Sequence, residues 1–301
     1  MNNRQSFNLI PEEHLLSSLS PLWQGRFRRA IDYLNNTIDR QPAPSWEEVA
    51  HHSAISPYHF HRMFRTVFHE PPGQYLRRLR LQTALYYLVN NIDQSVTEVA
   101  HRCGFSSSQS MAKALRRELD ISAKCLRRQF IESGWDAVEP FLLKLGQPEA
   151  NSQPVLEQSI ARDIEFHVQH SSAISLQVKH YPDSGDWENV VDHGYESGSD
   201  IYGLIRVSDI NKPEKQQTYL AGKKVNCETQ SNFMIPAGDY LCCRVRLNSM
   251  VGYFALWDVL YEKAMSLDIE PDPEGYVIEL FHYQKEWLDD ITDLTIRIAM
   301  R

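Results

Sequence analysis

One short stretch occurs twice in this chain, 50 residues apart, and it restricts the fold of the first half more than any other feature. Glu48-Val-Ala-His-His-Ser-Ala-Ile-Ser56 aligns with Glu98-Val-Ala-His-Arg-Cys-Gly-Phe-Ser106, and five of the nine positions are identical. Past the serine the second copy has one extra residue; Phe60 then matches Met111, Phe64 Leu115, Arg65 Arg116 and Phe68 Leu119. Ser45 and Ser95 stand three residues before the two glutamates, which is the capping-box signature of a helix start. The alanine after valine leaves room for a crossing helix, and Ala54 or Gly104 sits where a tight turn needs a small residue. The closing serine is expected to cap a second helix. Apolar spacing alone fits two ordinary helical hairpins. The repeated turn chemistry, with cations on the outward face, points further, to two helix-turn-helix units whose second helices enter the major groove of DNA. On those faces stand Tyr58, His61, Arg62 and Arg65 in the first copy, and Ser108, Gln109, Ala112, Lys113 and Arg116 in the second.

The charge distribution agrees. The net charge of −8 divides into +3 over residues 1–150 and −11 over residues 151–301. Between residues 21 and 130 there are 16 basic and 9 acidic side chains, and 14 of the 16 are arginine, whose planar fork suits phosphate and guanine. A polyanion-binding module followed by an acidic module of another kind is expected. No apolar run is long enough to span a membrane, and the N-terminus, with Glu12 and Glu13, lacks a signal-peptide core. The five cysteines have no CxxC spacing, so neither a disulfide framework nor a zinc site is expected, and a reducing cytoplasm is the natural setting. Vicinal Cys242 and Cys243 read as strand residues, with a redox sensor as the alternative.

Along the chain, residues 1–21 read as a poorly ordered lead-in. Helical spacing then runs over about 23–38, 45–53, 56–68, 73–90, 95–103, 107–119 and 122–132. In the long helix from Gly73, the leucines are expected inward and Arg77, Arg78 and Arg80 outward. Residues 133–159 read as a helix end and a linker, with Pro, Gln, Asn and Ser concentrated over 144–160. Beyond them the period changes. Strands are expected over 163–169, 173–180, 201–207, 218–225, 240–247, 276–283 and 294–299, and an amphipathic helix over 250–267. The fold class is α + (α+β), an all-α domain over 22–132 followed by a mostly antiparallel domain over 160–301.

Residues 22–131, including Pro72-Gly73-Gln-Tyr75-Leu-Arg77-Arg78-Leu-Arg80-Leu between the repeats, resemble the DNA-binding domain of AraC/XylS-type regulators. That resemblance implies a monomeric seven-helix domain with two recognition helices in successive major grooves. It makes Tyr58, His61 and Arg62 the base readers of one unit, and Ser108, Gln109 and Lys113 those of the other. Double-stranded DNA and RNA polymerase are the implied partners, and a nucleoid-associated place in the cytoplasm follows. The second unit departs from the pattern: Lys113 stands where arginine is usual, Leu115 where phenylalanine is and Leu126 where tyrosine is. Lysine lacks the bidentate fork, so a looser second half-site is expected. Phosphate contacts are expected from helix N-termini and from Arg77, Arg78 or Arg80.

Residues 160–301 resemble the GyrI-like effector-binding domain, through Ile235-Pro236-Ala-Gly238-Asp-Tyr240, the helix around Trp257, and Ile278-Glu279-Leu-Phe281. Together the halves resemble the Rob-type arrangement. The resemblance implies an aromatic-lined pocket in which Glu279 meets a cationic ligand. From the residues alone, Glu279 shares a strand face with Val277 and Phe281. It is either a carboxylate for a lipophilic cation or a residue on the wet face of a one-sided sheet. Trp187, Tyr202, Tyr240, Trp257 and Tyr261 are candidate pocket walls, or core. No catalytic motif, metal site or cofactor site is expected. The alternatives for this half are a small-molecule hydrolase and a protein-docking module.

Overall fold

The two copies of the repeat fold alike, and the backbone shows why their residues recur. The computed structural model describes residues 6–149, 155–181, 198–210, 217–226, 230–283 and 291–301. Each copy opens with a complete capping box, in which Ser45 Oγ accepts from the Glu48 amide and the Glu48 carboxylate from the Ser45 amide; Ser95 and Glu98 repeat the pattern. Each first helix then ends on a left-handed residue, Ala54 at φ 52° or Gly104 at φ 73°. The amides of Ile55 and Phe105 reach back to the carbonyls of Ala50 and Ala100, and those of Ala54 and Gly104 to His51 and His101. This is the Schellman arrangement, so the small residue answers backbone handedness as well as space. At Gly104 a Cβ would lie 2.2 Å from the Ile38 carbonyl oxygen, which leaves that position to glycine.

The closing serine departs from expectation. Ser56 makes no side-chain cap hydrogen bond, and the next residue, Pro57, starts the helix. Proline has no N–H to satisfy and its φ is already helical, so less capping is needed there. In the second copy the cap is Ser107, one residue beyond the motif, bonded to the Ser110 amide.

The chain divides into two compact units, Ile10–Ile160 and Met1–Leu9 with Ala161–Arg301. The helices of the first are α1 Pro11–Leu16, α2 Pro21–Asn35, α3 Trp46–His52, α4 Pro57–Phe68, α5 Pro72–Asn90, α6 Val96–Arg102, α7 Ser108–Leu119, α8 Ala123–Ser133, α9 Glu139–Leu143 and α10 Leu156–Ala161. Phe27, Phe60, Phe64, Phe68 and Tyr75 are almost fully buried where α2, α4 and α5 meet. Phe64 and Phe68 lie 4.4 Å apart, and Tyr75 meets Phe64 edge-on at 5.4 Å. Each such ring contributes about 1.5–3 kcal/mol through burial.

Two expectations need correction. The lead-in of 1–21 contains a strand, a helix and the start of a second helix, and it is split between the units: Leu9 is fully buried, and Leu16 joins the helical core. The described residues 144–149 and 155–160 of the expected linker belong to the helical unit, where Leu145, Gln147, Leu156 and Glu157 are buried. Gln147 and Glu157 find buried partners there and therefore need no solvent.

In the second unit nine described strands form one sheet: β1 Phe7–Asn8, β2 His167–Ser171, β3 Ile174–Tyr181, β4 Ile201–Arg206, β5 Tyr219–Lys224, β6 Phe233–Ile235, β7 Gly238–Leu247, β8 Tyr276–Phe281 and β9 Thr292–Ala299. The order is β1-β7-β9-β8-β4-β5-β3-β6, with β2 also on β7. All pairings are antiparallel except β1 with β7. Helix α11, Met250–Ser266, follows β7, its N-terminus capped by Ser249. The layout is α+β. Cys242 and Cys243 alternate to opposite faces of β7, and burial raises both thiols above their ordinary range, Cys242 to about 11. Thiols held protonated in this way suit strand residues. Cys227 lies outside the described residues.

Candidate nucleic-acid interface and a buried carboxylate

On α4 the buried residues are Phe60, Phe64 and Phe68, so the face one third of a turn away is set outward. Tyr58, His61, Arg62 and Arg65 occupy it at helical spacing, all exposed, Tyr58 at 87%. On α7 Met111, Ala114, Leu115 and Leu119 are buried. Gln109, Lys113 and Arg116 are exposed, and Ser108 is half-buried in the first turn. Among the described residues no carboxylate lies within ion-pair distance of Arg62, Arg65, Lys113 or Arg116. These cations therefore remain available to an outside anion.

The three arginines of α5 do not share one fate. Arg78 points inward: Nε donates to Glu70 at 2.9 Å, and the two terminal nitrogens to the Leu145 carbonyl at 3.3 Å and Gln147 Oε1 at 2.6 Å. Its guanidinium lies 5.1 Å from the centre of the Tyr75 ring. Gln147 donates to the Phe68 carbonyl, and its amide to both oxygens of Glu157. Burial pushes Glu157 up to about 7 and Glu70 upward as well, while Arg78 pulls both down. Arg80 ties the Ile38 and Arg40 carbonyls. Only Arg77 keeps an outward guanidinium, 42% exposed. The expectation that all three point outward thus fails for Arg78 and Arg80, because the chain turns hydrogen-bond acceptors toward them.

In the second unit Glu279 is 2% exposed. It lies directly opposite Gly203 on β4 and Ile296 on β9. Tyr253 of α11 donates to one carboxylate oxygen at 2.5 Å and Tyr219 to the other at 3.2 Å. Gly203 permits this, since a Cβ there would fall 1.8 Å from the Tyr219 hydroxyl. Burial pushes Glu279 up to about 7, against the pull of both phenols. Along α11, Tyr253, Trp257 and Tyr261 form a line, with rings 6.2 and 5.9 Å apart.

Glu279, Trp257 and Tyr261 therefore belong to one neighbourhood, and the wet-face alternative for Glu279 is excluded. Tyr219 and Tyr253 complete the neighbourhood and were not among the sequence candidates; a glycine inside a β-strand pattern, Gly203, was the available signal. Tyr202 and Tyr240 are buried on the other face of the sheet, with Leu176, Ile278 and Leu280. Tyr202 is one residue out of phase with Gly203, so it cannot face Glu279. Trp187 lies outside the described residues.

A family profile for a helix-turn-helix domain matches residues 49–129. The chain is 34% identical over 131 residues to the HTH-type transcriptional activator RhaS of Yersinia pestis (strain Pestoides F), covering 40% of this chain and 47% of the relative. Residues 49–129 carry a helix-turn-helix domain. The chain spans about half the length, or less, of the curated relatives it matches. Among solved structures it is similar to the DNA-binding domain of AdpA in complex with a target DNA, at 28% identity, 38% coverage of this chain, 96% of that one and a TM-score of 0.33. It is also similar to SAV2435 bound to tetraphenylphosphonium, at 9% identity, 46% and 94% coverage and a TM-score of 0.35.

Among the described residues no helix is long and apolar enough to cross a membrane, and no group of His, Cys, Asp or Glu is placed to hold a metal ion.

Proposed function

We propose that the chain is a transcription regulator that reads double-stranded DNA with two helix-turn-helix units, α3–α4 and α6–α7, and works with RNA polymerase at the nucleoid. The observation that carries this reading is the same exposed face on α4 and α7, cationic and without carboxylate partners, presented by two copies of one turn. Tyr58, His61, Arg62 and Arg65 are the readers on α4, and Ser108, Gln109, Lys113 and Arg116 those on α7. A reading unit over about 22–132 is joined to a sensing unit over about 160–301.

We read the second unit as a GyrI-like effector domain for a small lipophilic cation. A buried carboxylate bonded to Tyr253, from which a line of rings runs through Trp257 and Tyr261, suits such a ligand through charge and cation–π attraction. Tyr219 and Tyr253 hold Glu279 in place until the ligand arrives.

Replacing Arg62 with alanine is expected to weaken binding to the cognate site by about 1–3 kcal/mol and to relax one base position. Titration of the parent and Arg62→Ala against cognate, singly altered and random duplexes measures both effects. Equal affinities of the two proteins for all the duplexes would remove Arg62 from the reading set.

A further inference from the structure

Between α3, the first half of α5 and α7 lies an open cleft of about 480 Å³. Arg77, Arg80, Lys113 and Arg117 line it, and no carboxylate does among the described residues. Arg80 is occupied by backbone carbonyls, which leaves three cations facing one concavity. On α7 the lining falls at positions 110, 113, 114 and 117, a single helical face. The adjoining face, at 109, 112, 113 and 116, is the reading face, and Lys113 belongs to both. A helix lying in a major groove about 12 Å wide has a sugar-phosphate backbone along each flank. The cleft lies along the flank of α7 that faces α3 and α5.

One carboxylate stands just outside the lining. Glu118 Oε1 is 2.6 Å from an Arg117 terminal nitrogen and 3.9 Å from one of Arg77. Nε of Arg117 also donates to it, at 2.8 Å. Glu118 is the next-to-last residue of α7, where the helix dipole disfavours a negative charge. Helix stability therefore gives no reason for an acid at this place, whereas its two arginine partners do.

We propose that the cleft takes the phosphodiester backbone running between the two reading helices, and that Glu118 holds Arg77 and Arg117 in the place of a phosphate until DNA displaces it. The inference rests on the DNA-reading function proposed above. It assigns Arg77 and Arg117 to contacts that carry no sequence information.

The test is the salt dependence of DNA affinity for the full chain, measured on a cognate and a random duplex. In Arg77→Gln with Arg117→Gln, the slope of log K against log salt is expected to flatten by about 2, equally on both duplexes, with each single variant giving about half of that. Glu118→Gln is expected to bind both duplexes about two- to fivefold more tightly at low salt, because a competing carboxylate is gone. Both arginines are about half-exposed, and unchanged melting temperatures would show that the variants fold. An unchanged slope in the arginine variants overturns the cleft assignment. Unchanged or weaker binding by Glu118→Gln overturns the role of Glu118. A parent that binds neither duplex removes the DNA-reading function itself.

Discussion

Replacing Arg78 with alanine is expected to destabilise the helical unit by about 3–5 kcal/mol. Among the described residues the guanidinium is the one positive charge in a buried cluster that also contains Glu70, Gln147 and Glu157. Its loss leaves Glu70 without its ion-pair partner and frees Gln147 Oε1, and Glu157 loses the attraction that offsets its burial. Water cannot replace these partners, because Glu70 and Glu157 are each only 1% exposed. Lysine is expected to recover only part of the loss, since an ammonium cannot reach three acceptors in a plane. Pairing Arg78→Met with Glu70→Gln is expected to recover more, because two uncompensated groups leave together. Urea unfolding followed by hydrogen exchange over residues 10–160 measures each step. A loss below about 1 kcal/mol in Arg78→Ala would mean that the cluster is not a stabilising unit.

Glu279→Gln is expected to act in the opposite direction, increasingly as the pH rises from about 4.5 to about 7. A carboxyl group raised to about 7 in the folded chain stays protonated there over a range in which the unfolded chain has already lost the proton. Its contribution to stability is complete below the unfolded value of about 4.3 and is lost as the pH rises through about 7. Near pH 8 the buried anion then opposes folding by roughly 3–4 kcal/mol. Glutamine has the shape of the protonated acid, and its amide can bond to both Tyr219 and Tyr253. The variant is therefore expected to match the parent at about pH 4.5 and to exceed it near pH 8 by that amount. A thermal-shift series over this pH range, with and without a lipophilic cation such as tetraphenylphosphonium, gives both readouts. The cation should stabilise the parent and leave the variant unmoved. Equal pH profiles would contradict the account of the buried anion, and equal cation shifts would contradict the assignment of Glu279 as the counter-charge.

The parts legible in the sequence were those that depend on neighbours a few residues away. Ser45 with Glu48, Ser95 with Glu98, and the left-handed turns at Ala54 and Gly104 are local devices, and their repetition marked both helix pairs. The strand parity that placed Glu279 with Val277 and Phe281 is equally local. Other features depend on distant partners. Arg78 looked like Arg77 because its acceptors include Gln147, 69 residues on, and α5 buries residues on most of its sides. Strand β1 has two residues and pairs with Val245 and Arg246, too short and too remote to leave a pattern. The positions of Tyr202 and Tyr240 turned on the register between strands, which parity within one strand does not supply. The same limit hid Tyr219, which reaches Glu279 only because Gly203 lies between them.

One chain is expected to place α4 and α7 in two successive major grooves. Methylation-protection footprinting of the full chain on its cognate DNA tests it directly. Two protected major-groove segments are expected on one face of the duplex, about one helical turn or roughly 34 Å apart, with Arg62→Ala weakening the first and Lys113→Ala the second. A single protected segment, or two segments on opposite faces of the duplex, would contradict this placement.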